Sequence, residues 1–250
     1  MASPFVLCVI PARYASTRLP GKPLVDLGGR PMIEWVYRRA ERAGRISEVL
    51  VATDDERVLR AVEAFGGRAA LTSGECRSGT DRVAEALGAR RADLVVNLQG
   101  DEPLIEPAAI DQLIEVFEAE PQVQFATLAR RMEPGEDIAD PNRVKVVSDA
   151  GGYALYFSRH AIPYQRDPDQ APPAYYHHYG LYIFRPEALK RFVQLEPSPL
   201  ERAERLEQLR ALEHGLRIRV VETKYRTAGV DTPEDLERVR RQIETGSLVP

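Results

Sequence analysis

The sequence predicts an α/β fold: a largely parallel sheet covered on both faces by helices, with a mixed, partly antiparallel extension. Three observations lead there. Short, nearly unbroken apolar runs (FVLCVI, VLVAT, LVVNL) look like strands buried on both faces. In the first half they alternate with stretches of helical periodicity, as crossover connections require. In the middle, strand-like runs follow one another without long helices between them.

Taken in order, residues 5–10 read as the first strand. Pro31 opens a helix with Ile33, Val36, Ala40 and Ala43 inward, ended by Gly44. Residues 49–53 form a second strand, and Asp54 is placed to cap a helix with Val58, Val62 and Phe65 inward. Gly66 and Gly67 stop it, and 68–71 form a short third strand. A loop at 73–79 leads into a helix with Val83, Ala84 and Leu87 inside, capped by Thr80. Residues 94–98 are a fourth strand, and Pro107 opens a helix with Ile110, Leu113, Ile114 and Phe117 inward. Strands are expected at 125–129, 144–147, 153–157, 181–184 and 218–221, a loop rich in Pro and Asp at 165–173, and a helix near 203–214. The last helix follows Asp231, with Thr232 as cap, Pro233 at its first position and Asp235 completing the box. No repeat or linker divides the chain, so 1–250 reads as one domain with an inserted lobe around 130–200.

Composition narrows the function. The chain has 250 residues, 44% of them hydrophobic, enough for a full core. A net charge of −4 argues against a general nucleic-acid binder. Two cysteines, Cys8 and Cys76, argue against a disulfide framework or a cysteine zinc site. The first apolar run is too short for a signal-peptide core, and no stretch is long enough to span a membrane. A soluble, cytoplasmic protein is expected.

The most informative stretch is IPARYASTRLPGKPL, residues 10–24. It carries Arg13, Arg18 and Lys22 among Pro11, Pro20, Gly21 and Pro23, which are expected to stop helix and strand alike. A stiff cationic loop after a buried strand suggests an anion site at the carboxyl end of the sheet, where α/β ligands sit. It is not a Walker A loop, which needs Gly where Ser16 stands and Ser or Thr where Pro23 stands; GxGxxG is absent throughout. Phosphates would then be held mainly by Arg and Lys side chains. A solvated basic turn is the alternative.

Three further constellations bear on this. NLQGDEP, at the end of the fourth strand, places Asp101 where a carboxylate could hold Mg²⁺ beside a polyphosphate; a plain strand-end turn is the other reading. GVDTP offers Asp231 as a second carboxylate, or as a helix-capping charge. SGTDR, residues 78–82, could present backbone donors to a base or anion, or simply cap its helix. His177 and His178 are adjacent, so in a strand they face opposite ways, and no metal-ligand spacing for zinc is present.

The ordered set IPARYASTRLPGKPL, VATDD, SGTDR, VNLQGDEP, VKVV, ALYFSR, HHYGLYIF, SPLE, LEQLRALEHG and GVDTPEDLERV resembles the cytidylyltransferases that activate 3-deoxy-manno-octulosonate (Kdo) over nearly the whole chain. TRLPGKPL is common to many sugar nucleotidyltransferases; YFSR together with LEQLR is specific. The resemblance implies a three-layer α/β/α sandwich with a mixed, mostly parallel sheet, of nucleotide-diphospho-sugar transferase type. It implies CTP and Kdo as substrates, CMP-Kdo and pyrophosphate as products, and a homodimer serving lipopolysaccharide synthesis, with substrate and dimer contacts in the 130–200 lobe.

By the same resemblance Arg13, Lys22, Asp101 and Asp231 are catalytic, with Asp101 and Asp231 holding Mg²⁺. Pro11, Ala12, Arg13, Lys22, Ser78, Gly79, Arg82 and Gln99 would contact the nucleotide. Gln99, Arg159, His178, Tyr182, Glu207 and Gln208 would contact the sugar acid. Tyr179 and Ile183-Phe184 depart from the family's usual residues beside that pocket. The rival readings are a cytidylyltransferase for another sugar acid, amino-Kdo or sialic acid, and a non-catalytic nucleotide-binding module.

Overall fold

Seven consecutive buried residues, β1 (Val6–Ala12), stand at the middle of the computed structural model, which describes residues 3–15, 19–167, 169–230 and 232–244. β1 pairs in parallel with β2 (Glu48–Thr53) on one side and β4 (Leu94–Leu98) on the other. β3 (Ala69–Leu71) extends the β2 side. Beyond β4 come β8 (Tyr176–Phe184), β5 (Phe125–Arg131) and β9 (Arg219–Glu222), giving the order β3-β2-β1-β4-β8-β5-β9. In that path β8 runs antiparallel to both its neighbours, and β5 and β9 are parallel.

Strand alternation sorts the core into two layers. Val6, Cys8 and Ile10 pack with α1 (Met32–Glu41), α2 (Glu56–Ala64) and α4 (Pro107–Ala119) through Ile33, Val36, Val62, Ile110 and Leu113. Leu7 and Val9 pack on the other face with α3 (Gly79–Leu87), α5 (Pro186–Val193) and the short α7 (Gln208–Glu213), through Val83, Leu189, Phe192 and Leu209. The result is the expected three-layer sandwich. A third cluster joins α8 (Pro233–Glu244) to α1: Leu236 and Val239 meet Met32, Trp35 and Leu27.

The segment around 130–200 is where antiparallel pairing enters. β6 (Lys145–Ser148) and β7 (Ala154–Ser158) form a hairpin, tied to β8 through Lys145 and His177. β8 itself is an interior strand of the main sheet. Opposite β5 its register steps from Thr127↔Tyr182 to Leu128↔Tyr179, leaving Gly180 and Leu181 in a bulge.

Several local expectations are corrected. Pro11 does not end the first strand: β4 pairing stops at Val9↔Asn97, so no second neighbour asks for the missing N–H at Pro11. Asp55, not Asp54, caps α2, accepting from the Arg57 N–H, because Asp54 is drawn to Arg82. Ser78, not Thr80, caps α3 in a reciprocal box with Asp81. The helix expected near 203–214 is two, α6 (Pro199–Glu204) and α7, broken where Arg205 takes a left-handed φ of 53°. α5 is an element beyond those expected; its eight residues are only two turns, short for a periodic signal. β8 starts at Tyr176, five residues before the expected 181–184 run.

Candidate active site

Sheet order reverses between β1 and β4, and in such sheets the crevice outside the carboxyl ends at that point is the place for a ligand. Two of the singled-out stretches meet there. Gly100 lies so close to β1 that an added Cβ would stand 3.0 Å from the Pro11 carbonyl. That approach sets the turn after β4 against Pro11 and Ala12.

The cationic loop closes over this turn. Gly21 takes a left-handed φ of 68° and leads into a 3-10 turn, Lys22–Leu24. From there the Lys22 ammonium donates to Asp101 Oδ2 at 2.6 Å. Arg13 Nη2 donates to the Cys76 carbonyl, joining the loop to the segment ahead of α3. Arg18 lies outside the described residues.

Asp101 is also reached from the carboxyl-terminal part of the chain. Its carbonyl accepts from the Val230 N–H at 2.9 Å, and the Thr227 hydroxyl donates to Glu102. An added Cβ at Gly229 would stand 3.2 Å from Glu102 Oε1. Asp231 lies outside the described residues; just past it, Thr232 and Asp235 cap α8 reciprocally. Among the described residues no three His, Cys, Asp or Glu side chains gather into a metal cluster. The donor set nevertheless suits Mg²⁺. Asp101 offers a part-exposed carboxylate that already carries a cation, the Lys22 ammonium, and Mg²⁺ takes one or two carboxylates with phosphates and waters.

Ser78 and Gly79 lie over the same crevice. A Cβ on Gly79 would be 3.4 Å from the Pro11 ring and 3.5 Å from Gln99 Oε1. Arg82 is different: its side chain has no exposure, donating to Asp54 Oδ2 at 2.9 Å and to the Thr72 hydroxyl, with Nε unbonded. It holds the ends of β2 and β3 to α3 from behind.

Among the residues assigned to the sugar acid, Gln99 and Glu207 are joined through two buried polar residues. Gln99 Nε2 donates to Asn97 Oδ1 (3.0 Å), Asn97 Nδ2 donates to Thr80 Oγ1 (3.0 Å), and Thr80 donates to Glu207. Burial raises the Glu207 carboxyl, while Thr80 and Ser78 hydrogen bonds pull it down. Burial raises the Tyr182 hydroxyl far above its usual range, with the Glu207 charge adding to it. His178 meets Phe157 edge-on and Tyr182 at a tilt, and its Nε2 is 2.9 Å from the Thr127 hydroxyl. Burial, then neighbouring His177, pushes its pKa to about 3, so it stays neutral. Gln208 is buried with its Nε2 unbonded. Arg159 stands apart from these: its guanidinium donates to the Glu204 and Pro141 carbonyls at 2.7 and 2.9 Å.

His177 and His178 do face opposite ways. His177 packs against Tyr179, whose hydroxyl accepts from Arg130 Nε at 3.0 Å. Tyr179 and Ile183 belong to the core layer opposite His178 and Tyr182, and Phe184 stacks on Phe125. The three departures from the family pattern are therefore packing residues.

Sequence reasoning passed over Asn97, Thr127, Arg130 and Lys145. Lys145 has no exposure; its ammonium donates to the Arg159 and Asp140 carbonyls at 2.6 and 2.9 Å. A lone Lys within VKVV and a lone Asn within LVVNL were the available signals, since a polar group in a buried run must find a partner.

Comparison with known proteins shows the family and the fold. A family model described as Cytidylyltransferase matches residues 7–218. The chain is 51% identical over 243 residues to 3-deoxy-manno-octulosonate cytidylyltransferase of Solibacter usitatus (strain Ellin6076), covering 97% of this chain and 96% of that protein. It is 50% identical over 248 residues to the protein of the same description from Geobacter sulfurreducens, covering 96% and 99%. A solved structure of CMP:2-keto-3-deoxy-manno-octonic acid synthetase complexed with CTP superimposes with a TM-score of 0.91 at 46% identity, covering 97% of this chain and 99% of that one.

Proposed function

We infer the reaction from one premise: the chain belongs to the 3-deoxy-manno-octulosonate cytidylyltransferase family. It transfers CMP from CTP to the anomeric hydroxyl of Kdo, releasing CMP-Kdo and pyrophosphate. The observation that carries this reading is the meeting of Lys22 and Asp101, 79 residues apart, at the β1/β4 crevice, with half-buried Gln99 and Glu207 joined through buried Asn97 and Thr80.

Both substrates are anionic, so repulsion must be offset before the sugar hydroxyl can reach the α-phosphorus. Arg13 and Lys22 take the charge of the departing pyrophosphate. Ser78 and Gly79 offer the backbone start of α3 to the nucleotide. Gln99, His178, Tyr182, Glu207 and Gln208 orient the sugar hydroxyls, and Arg159 is assigned the sugar carboxylate on family resemblance. Asp101 and, by family resemblance, Asp231 would hold Mg²⁺, which would supply charge neutralisation at the phosphates and a lower pKa for the sugar hydroxyl. No group on the chain is needed as a covalent nucleophile. A homodimer, a cytoplasmic location and a place in lipopolysaccharide synthesis rest on family resemblance; no described helix is long and apolar enough to cross a membrane.

The test is pyrophosphate release from CTP with Kdo, amino-Kdo and sialic acid, each with and without Mg²⁺. Release with Kdo that requires Mg²⁺ is expected. CTP binding by calorimetry without pyrophosphate release from any sugar acid would instead make the protein a binding module.

A further inference from the structure

We propose that Thr80 and Asn97 are positioning residues for the sugar acid, holding Gln99 and Glu207 in one fixed donor–acceptor order. This deepens the cytidylyltransferase reading and rests on it. Neither residue has exposed surface, so neither touches substrate. Their polar atoms nonetheless lie in an unbroken line from the crevice floor to α7: Gln99 Nε2 to Asn97 Oδ1, Asn97 Nδ2 to Thr80 Oγ1, and Thr80 to Glu207 Oε1.

The direction of every link follows from its far end. The Thr80 hydroxyl donates its one proton to Glu207 Oε1. That leaves a Thr80 lone pair for the Asn97 amide, which in turn turns Asn97 Oδ1 toward Gln99. Gln99 must then present its Nε2 inward and its Oε1 outward, beside Gly79. Gln99 Oε1 is therefore offered as an acceptor beside a Glu207 carboxyl held by Thr80 and Ser78, and a ligand hydroxyl donor is what satisfies it. The groups bearing on the Glu207 charge come from three elements: Ser78, Thr80 and Asp81 at α3, Arg210 on α7, and Tyr182 on β8. The Thr80 bond lowers the Glu207 pKa, so losing it raises that pKa further.

The test compares Thr80→Val, Thr80→Ser and Asn97→Ala with the wild type, using pyrophosphate release, CTP calorimetry and melting temperature. Thr80→Val is expected to raise KM for Kdo on the order of tenfold, the effect of a lost bond to a charged group, and to leave the CTP Kd unchanged. Its acid limb in kcat/KM for Kdo moves to higher pH, and Thr80→Ser restores both. Asn97→Ala raises KM for Kdo while the acid limb stays in place, because Thr80 still serves Glu207; it is read alone if Thr80→Val does not fold. A wild type inactive with Kdo overturns the reading and the inference together. An active wild type whose Thr80→Val variant keeps its KM for Kdo and its pH profile, or whose Asn97→Ala variant keeps its KM for Kdo, overturns the inference alone.

Discussion

Lys22 and Asp101 meet with 13% and 35% of their side chains exposed, whereas Thr80 and Asn97 meet with none. The two walls of the crevice are thus built differently. A part-exposed ion pair is worth little net, roughly 0–1 kcal/mol, so its members exchange partners at small cost when a phosphate arrives. A buried polar bond left unmade costs about 1–3 kcal/mol. On the function proposed above, the Lys22–Asp101 side would supply movable charge to groups every nucleotide carries. The side held by Asn97 and Thr80 would supply discrimination, because a wrong ligand leaves fixed acceptors unpaired.

The largest expected effect tests the movable side. Asp101→Asn keeps the shape and removes the charge, and should lower kcat by at least about 10²-fold while CD spectra stay unchanged. An Asn variant with near-normal turnover would place the essential charge elsewhere. Lys22→Met removes one charge-assisted contact to phosphate, and about 10–100-fold is expected in kcat/KM for CTP. Its KM for Kdo should stay near the wild-type value; a change confined to Kdo would break the division between walls.

Two smaller effects read the buried framework. Arg82→Met leaves Asp54 and Thr72 without their donor, and about 2 kcal/mol of stability should be lost in urea unfolding. His178 tests burial by pH. Its folded pKa is about 3, below the ordinary 6.5, so between these values the unfolded chain binds the extra proton and stability rises with pH. That contribution is complete above pH 6.5 and is lost on acidification. His177, depressed to about 4 by burial and then by Arg143 and Arg130, has the same sign. Replacing His178 with Asn should flatten the fall in stability between pH 6.5 and 5 by up to about 1.4 kcal/mol per pH unit.

Legibility differed along the same line. Arg13, Lys22 and Asp101 stood out because charges flank strand ends where proline and glycine mark turns. Asn97 and Lys145 do not stand out, since one polar residue inside an apolar run looks like an exception until its partner is known. On sequence alone Thr80 fits a cap, since Ser and Thr near a helix start usually are caps; in the structure Ser78 holds that place and Thr80 bonds Glu207. The break between α6 and α7 escaped notice for a related reason. Nothing in ERLEQL announces a left-handed Arg205, yet that turn ends α6 just ahead of half-buried Glu207 and buried Gln208.

By itself the sequence determined the alternation of buried strands and helices, the cationic loop and the acidic turn, because periodicity and turn chemistry are local. Only the tertiary structure decided which of these stretches touch. Lys22 reaches Asp101 because β4 lies beside β1, and Glu207 reaches Thr80 because α7 packs on the same sheet face as α3. Such pairings depend on sheet order and on the partners of buried polar atoms, which are properties of the packed chain rather than of any one segment.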